Sequence, residues 1–194
     1  MLLHLRSISQ LAGGRESVRR FFLVSAFIVF LIARTSAETQ ATVSESRGVY
    51  TVSASFTVAQ PPADAMAVLT DYDHLSRFMP DLRASAVTSR SGSRVTVSQE
   101  AVSHFLTFSK QINLLLDINE APLVLTFADR SGKSFSQYDG AWRLTVVGGQ
   151  TVVNYTLVAK PSFSVPEFIL SKLLKRDAGK MIAALQTEIA ARAK

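Results

Sequence analysis

The stretch that decides the fold is FSVPEFILSKLLKRDAGKMIAALQTEIAAR, residues 163–192. Its SVPE segment, Ser164–Glu167, has the form of a capping box, in which the Ser oxygen and the Glu carboxylate each accept a backbone N–H at the start of a helix. Pro166 then lies in the first turn, where its missing N–H leaves no hydrogen bond unmade. The segment therefore predicts a long C-terminal helix.

This helix is amphipathic. At about 100° per residue, apolar side chains cover one broad face, while the opposite face carries basic side chains between Lys172 and Lys180. So wide an apolar face needs a large partner surface, and the two can enclose either a solid core or a cavity. The residues of the apolar face are Leu170, Leu173, Leu174, Ala178, Met181, Ile182, Leu185 and Ile189.

The chain before this helix has the pattern of strands joined by short turns. Val49–Val58 alternates apolar and polar residues, which indicates a half-buried strand, and Pro61 and Pro62 end it because proline cannot donate to a ladder. Two short helices, Ala63–Tyr72 and Leu75–Phe78, follow, and then six further strands. We therefore predict an α+β domain, with a curved antiparallel sheet of about seven strands packed on one long C-terminal helix.

The first 37 residues have the layout of a signal peptide. Arginines precede a thirteen-residue apolar run, Phe21–Ala33, and small residues up to Ala37 suit a signal peptidase. The run is shorter than the ~20 residues of a spanning helix, although a retained N-terminal anchor is the alternative, and the twin arginines also resemble a second type of export motif. We expect an exported protein, periplasmic or extracellular, with 38–47 as a flexible lead-in and 48–194 as the folded domain.

The formal charge of +6 does not indicate a nucleic-acid partner. Residues 1–37 hold five Arg and one Glu, so most of the excess charge belongs to the leader. The remaining 157 residues hold 16 basic and 14 acidic side chains. A phosphate-binding surface should be more strongly and more locally basic than this.

The sequence has no pattern typical of a metal, cofactor or catalytic centre. It contains no Cys, and its three His residues do not share metal-ligand spacing. It contains neither a Gly-rich phosphate loop nor a nucleophile elbow. The acidic residues around the short helices suit caps and turns. We therefore expect no metal ion, no cofactor and no catalytic residues.

Five short strings resemble the START-like (SRPBCC, helix-grip) superfamily, and within it the polyketide cyclase/dehydrase and coenzyme Q-binding subgroup. They are FTVA at Phe56–Ala59, VLTDYD at Val68–Asp73, LSRFMPD at Leu75–Asp81, YDGAWRL at Tyr138–Leu144 and FSVP at Phe163–Pro166. These strings mark architecture, so the resemblance implies a fold more strongly than an activity.

The resemblance covers roughly residues 46–192 and implies a deep apolar cavity between the curved sheet and the C-terminal helix. Such cavities accept lipids, quinones, polyketides or other hydrophobic ligands, and many members of the superfamily catalyse nothing. Coenzyme Q-binding members are typically mitochondrial or cytoplasmic, so the export signal argues against a quinone ligand. We expect a monomeric domain that binds or carries a hydrophobic small molecule or lipid.

Two other functions are alternatives. A polyketide cyclase or aromatase would use the same cavity, and a buried Tyr or His paired with a carboxylate would indicate it. A protein-interaction module, like the START-like toxins that associate with ribosomes, is the second alternative. The export signal argues against it, because ribosomes are cytoplasmic.

The predicted cavity is lined by inner-face residues of the strands and by apolar residues of the helix. Aromatic side chains with a few polar groups are typical of ligand pockets, although each residue could instead pack in a dry core. Lys110 shares the phase of the inner face, so it lies either at the rim or against the head group of a ligand. The predicted lining residues are Val97, Phe108, Ile112, Leu125, Phe127, Tyr138, Trp142 and Tyr155 on the sheet, and Leu173, Leu174 and Met181 on the helix.

The first turn of the C-terminal helix does not fit its apolar face. Val165, Phe168 and Ile169 fall on the side that continues into the basic residues. Apolar residues beside a basic stripe are typical of a membrane-docking helix. The alternative is that the 161–169 loop covers these residues and that the lysines are simply solvated. Our hypothesis is a cavity entrance in contact with a membrane, formed by Phe163, Val165, Phe168, Ile169, Lys172 and Lys175.

Overall fold

The computed structural model describes residues 40–105 and 108–193, and the predicted leader lies outside them. Within these residues, no helix is both long enough and apolar enough to span a membrane. The elements are β1 Gln40–Ser46, β2 Val49–Val58, α1 Pro62–Leu69, a 3-10 helix Tyr72–Arg77, β3 Leu82–Ser91, β4 Arg94–Phe105, β5 Phe108–Ala121, β6 Val124–Asp129, β7 Phe135–Val147, β8 Gln150–Pro161 and α2 Glu167–Arg192.

The eight strands form one antiparallel sheet in the order β1-β2-β8-β7-β6-β5-β4-β3. The second strand, β2, pairs with the last strand, β8, so strands from the beginning and the end of the domain are neighbours in the sheet. The chain leaves β8 and returns as α2 across β1 and β2. The predicted α+β helix-grip arrangement is confirmed, with one strand more than the seven expected.

The additional strand corrects the prediction of a flexible lead-in at 38–47. Gln40–Ser46 pairs in register with β2, and Ala41 and Val43 pack against the core. The connection is a two-residue hairpin turn in which Arg47 and Gly48 both have positive φ angles, 53° and 76°. The prediction was wrong because only two small apolar residues mark the inner face of this strand.

The start of α2 corrects a second prediction, the capping box. The helix begins at Glu167 with Pro166 as its N-cap residue, and no side chain caps it. The Pro166 carbonyl accepts the N–H groups of Ile169 at 3.0 Å and Leu170 at 3.1 Å. Ser164 lies two residues before the N-cap, so its oxygen is too early in the chain to cap the first turn.

The opposite end of α2 is tied to the 3-10 helix region. Arg192 forms an ion pair with Asp71 at 2.7 Å, and its guanidinium lies 5.8 Å from the centre of the Phe78 ring. Asp71 also contacts His74 at 2.7 Å. These contacts fix the C-terminal end of the helix against the segment that follows α1.

The solid core lies under the C-terminal half of α2. Ile182, Leu185 and Ile189 are fully buried, and the helix packs there on β1, β2 and α1. Each such side chain contributes about 1.5–3 kcal/mol by leaving water. In contrast, Leu173 and Leu174 in the N-terminal half are only partly buried, because they lie over a cavity.

Candidate ligand-binding site

A cavity of about 690 Å³ separates the N-terminal half of α2 from the sheet. Its volume lies within the range of about 300–1,000 Å³ typical of small-molecule pockets. The walls come from β2 to β8, from α1 and the 3-10 helix with the turn after it, and from the chain between β8 and α2. One curved sheet and one half of one helix therefore enclose a space that could hold a ligand.

Most of the predicted lining residues do face this cavity. Val97 does not, and the side chain of Phe108, the first residue of β5, lies outside the described part of the structure. Val97 is fully buried in the solid core. Alternation identified its face of the strand correctly but gave no position relative to the cavity. The lining residues that the sequence predicted are Ile112, Leu125, Phe127, Tyr138, Trp142, Tyr155, Leu173, Leu174 and Met181.

An aromatic wall covers the sheet side of the cavity. It consists of Phe127, Phe135, Tyr138, Trp142 and Tyr155. Between ring centroids, Trp142 lies 4.4 Å from Tyr155, and Phe135 lies 4.9 Å from Tyr138. Phe127 lies 6.0 Å from Tyr138 and is stacked on Tyr155 at 6.3 Å. Contacts at these distances restrain the rings and give the wall a defined shape.

Gly140 makes room for this wall, and the sequence analysis assigned it no role. It lies between Tyr138 and Trp142 on the same face of β7. A Cβ atom at this position would come 2.6 Å from Cζ of Phe127 and would overlap the carbonyl oxygen of Thr156. The glycine within the YDGAWRL string therefore allows the Phe127 ring to lie directly on the strand.

Phe135 was missed for a different reason. Simple alternation along β7, counted from Tyr138, places it on the outer face. A register irregularity between Phe135 and Gln137 changes the phase, so Phe135 is buried and lines the cavity. β-Bulges of this kind have no reliable sequence signature. Val52, Leu69, Leu75 and Met79 were also missed, because the prediction considered only the later strands and the long helix.

The tyrosine hydroxyls that line the cavity stay protonated. Burial raises the pKa of Tyr138 to about 12, and it raises the pKa of Tyr155 well above its ordinary value. Burial and then the carboxylate of Glu120 raise the pKa of Tyr72, whose ring lines the cavity from the 3-10 helix. Since phenols normally titrate near 10, all three side chains keep their protons at physiological pH.

Three contacts connect α2 and the segment before it to the opposite rim of the cavity. Lys180 forms an ion pair with Asp81 at 3.2 Å, and Ser103 donates to Asp177 at 2.8 Å. The Lys110 ammonium lies 4.8 Å from the centre of the Phe163 ring. Lys110 is exposed and lines the mouth of the cavity, which agrees with the rim position that the sequence allowed.

The predicted entrance residues divide into two groups. Phe163, Val165 and Ile169 line the cavity, so the prediction that Val165 and Ile169 share the basic face was wrong. Ile169 and Leu173 lie four residues apart on α2 and share one side of it, and Val165 lines the cavity from the segment before the helix. Phe168, Lys172 and Lys175 point outward, and the Phe168 side chain is 64% exposed.

The described residues contain no group of three or more His, Asp and Glu side chains placed to hold a metal ion. The closest pairing of a histidine with a carboxylate, His74 with Asp71, lies at the surface and does not line the cavity. The lining is mostly apolar and aromatic, with the phenols of the wall and a smaller set of polar and charged side chains that includes Asp81, Lys110 and Asp177.

Comparison with solved structures identifies the same fold in several proteins. TTHA0849 from Thermus thermophilus is 20% identical, with a TM-score of 0.65 over 74% of this chain and 99% of that one. The Zhui aromatase/cyclase from Streptomyces sp. R1128 is 13% identical, with a TM-score of 0.66 over 75% of this chain and 96% of that one. A STAR-related lipid transfer protein from Xanthomonas axonopodis is 15% identical, with a TM-score of 0.59 over 79% and 99% of the two chains.

At these identities the likeness shows the fold alone, and the solved relatives include both an aromatase/cyclase and a lipid transfer protein. A search of curated proteins gave no match. The family model described as polyketide cyclase/dehydrase and lipid transport matches residues 58–186, which is more than half of the chain. The matched residues include most of the sheet, α1, most of α2 and the aromatic wall. The chain therefore belongs to the polyketide cyclase/dehydrase and lipid transport family.

Proposed function

We propose that the protein binds a hydrophobic small molecule or a lipid in the cavity and does not convert it. The observation that carries this proposal is the cavity itself, about 690 Å³ with an aromatic wall on one side and Leu173 and Leu174 on the other. When an apolar ligand displaces water from an apolar cavity of this size, the burial of apolar surface favours binding. If the leader is an export signal, as its sequence predicts, this binding occurs outside the cytoplasm, which disfavours a quinone.

Native mass spectrometry of the purified protein with a lipid extract tests this proposal. We expect a bound apolar molecule that survives purification or is taken up from the extract. Leu173→Trp should weaken uptake, because the larger side chain occupies part of the cavity beneath α2. Val146→Trp is the matched control, since Val146 is 60% exposed and does not line the cavity. A wild-type protein that takes up no apolar molecule would contradict the proposal.

A cyclase or aromatase activity is the second candidate, and Tyr72 is the observation that favours it. Its ring lines the cavity, and its buried hydroxyl lies near Glu120. However, burial and this carboxylate raise the pKa of Tyr72, and Arg90 already pairs with Glu120 at 2.8 Å. A general acid or base works best with a pKa near the operating pH. We therefore favour binding without conversion.

We also propose that the outer face of the first turns of α2 docks on an anionic membrane. Phe168 is exposed there beside Lys172 and Lys175, and neither lysine forms an ion pair with any described residue. Each lysine near an anionic bilayer contributes about 1 kcal/mol, and an exposed aromatic ring can enter the interface. The Phe163–Ile169 segment forms a wall of the cavity next to this face, so docking would bring the cavity close to its ligand supply.

Flotation with phosphatidylglycerol vesicles tests the docking. We expect the wild-type protein to float with these vesicles and not with neutral phosphatidylcholine vesicles. Phe168→Glu with Lys175→Glu should abolish flotation, because the pair removes the apolar anchor and reverses a charge. Val147→Glu with Lys133→Glu makes the same changes at exposed positions on other elements and should have no effect. Unchanged flotation of the first double variant would exclude this surface.

A further inference from the structure

The lining of the cavity changes from apolar to charged along β5. Every second residue from Ile118 back to Lys110 lines the cavity, since alternate side chains of a strand share one face. Ile118, Leu116, Leu114 and Ile112 form an apolar row, and Lys110 continues it at the mouth. At ~3.4 Å per residue, the distance along the strand from the first of these residues to the last is roughly 27 Å. The cavity therefore has a long apolar track that ends at an ammonium group.

The neighbouring strand and the helix are polar at the same end of the cavity. Ser103 on β4 is the register partner of Lys110, and Ala101 is the register partner of Ile112. Both β4 residues line the cavity. Asp177 on α2 also lines it and accepts a hydrogen bond from Ser103 at 2.8 Å. The mouth is therefore a polar region shared by β4, β5 and α2.

One of the charges at the mouth has no counter-ion. Of the described residues that line the cavity, Asp81, Lys110 and Asp177 are charged. Each of the two carboxylates pairs with a basic residue of α2, at 3.2 Å for Asp81 and 2.7 Å for Asp177. Lys110 forms no ion pair with any residue that the structure describes. Its ammonium lies 4.8 Å from the centre of the Phe163 ring, which is part of the cavity wall, so its N–H donors remain available to an anion.

We infer that the ligand is an amphiphile whose anionic head group, a carboxylate or a phosphate, pairs with Lys110 while its hydrocarbon chain lies along the apolar row of β5. The inference rests on the proposed function, because it requires a ligand in the cavity. A chain that reaches the mouth displaces water from one side of the ammonium, which is unfavourable unless another acceptor replaces that water. An anionic oxygen replaces it with a charge-assisted hydrogen bond, whereas a cationic head group would be repelled.

Probes with the same dodecyl chain and different head groups test this inference. Displacement of the apolar dye N-phenyl-1-naphthylamine from delipidated protein gives the Kd of dodecanoate, dodecyl phosphate and 1-dodecanol. In Lys110→Gln we expect both anions to bind about two- to fivefold more weakly, the effect of one partly exposed ion pair, while 1-dodecanol changes by less than about twofold. The anion that loses more affinity identifies the head group, a carboxylate or a phosphate, that the mouth prefers.

Two further variants and a salt titration complete the test. Lys110→Arg keeps the charge and should keep the affinity for the anions, and Lys172→Gln removes an exposed charge of α2 that does not line the cavity and should leave it unchanged. In the wild-type protein, added NaCl should weaken the anions relative to 1-dodecanol, because salt screens an exposed ion pair.

Three results would overturn the anionic head group while cavity binding stands. They are equal changes for dodecanoate and 1-dodecanol in Lys110→Gln, a loss of the same size in Lys172→Gln, and relative affinities that do not respond to NaCl. Failure of the dye to bind the wild-type protein would overturn both the inference and the proposed function.

Discussion

Gly140→Ala is expected to be among the most destabilising single substitutions in the domain. The added methyl would overlap the carbonyl oxygen of Thr156 and come 2.6 Å from the Phe127 ring. A flexible side chain could move away, but the Thr156 carbonyl belongs to the backbone of β8, which is paired on both sides. Overpacking in a core costs about 1–3 kcal/mol, and we expect a loss at or above the top of this range.

Urea denaturation of the wild-type and variant proteins measures this loss. Gly179→Ala is the matched control, because it makes the same chemical change in the middle of α2 with no atom within 4 Å of the new methyl group. There the substitution should stabilise the protein by up to about 1 kcal/mol through helix propensity. The same substitution therefore changes stability in opposite directions at the two positions.

A second substitution distinguishes the two causes of the loss at Gly140. Phe127→Leu replaces the ring that the new methyl would meet with a shorter side chain, but it leaves the Thr156 carbonyl in place. We therefore expect the Gly140→Ala, Phe127→Leu double variant to remain strongly destabilised. Recovery of full stability in the double variant would show that the ring alone required a glycine, and a mild effect of Gly140→Ala by itself would contradict the close approach of β8.

The architecture could be predicted because its signals are periodic and local. Alternation identifies β2, and a run of apolar residues at helical spacing identifies the buried face of α2. Such patterns arise when one side of an element is buried and the other is exposed. A helix packed on one face of a sheet buries both elements in this way. The C-terminal residues Ile182, Leu185 and Ile189 were consequently assigned to the correct face.

The errors arise where structure depends on contacts between distant segments. β1 carries too little apolar surface to be recognised without its partner strand, and the irregularity before Gln137 changes the inward face of β7 without a local signal. The assignment of Val165 and Ile169 to the basic side was wrong, because both residues line the cavity. Val165 lies before the helix, so helical periodicity does not apply to it, and Ile169 lies one turn before Leu173, at the edge of the apolar face.

The two halves of α2 are expected to respond differently to the same truncation. Ile182→Ala should cost about 2–5 kcal/mol, as expected for a fully buried isoleucine whose removal leaves a void in a packed core. Leu173→Ala should cost clearly less, because Leu173 already has the cavity on one side and makes fewer contacts to lose. Denaturation of delipidated protein gives both values free of any ligand contribution.

The effects on ligand affinity should be reversed. Leu173→Ala removes part of the cavity wall, so the Kd of the apolar dye N-phenyl-1-naphthylamine should rise about five- to thirtyfold, which corresponds to the loss of about 1–2 kcal/mol of apolar contact. Ile182→Ala should leave the Kd of the folded fraction within about twofold, since Ile182 does not line the cavity and distant sites act independently. Equal losses of stability at the two positions would mean that the helix is packed alike along its whole length. Unequal stability losses combined with reversed effects on affinity would mean that one amphipathic face closes the core at its C-terminal end and holds a ligand at its N-terminal end.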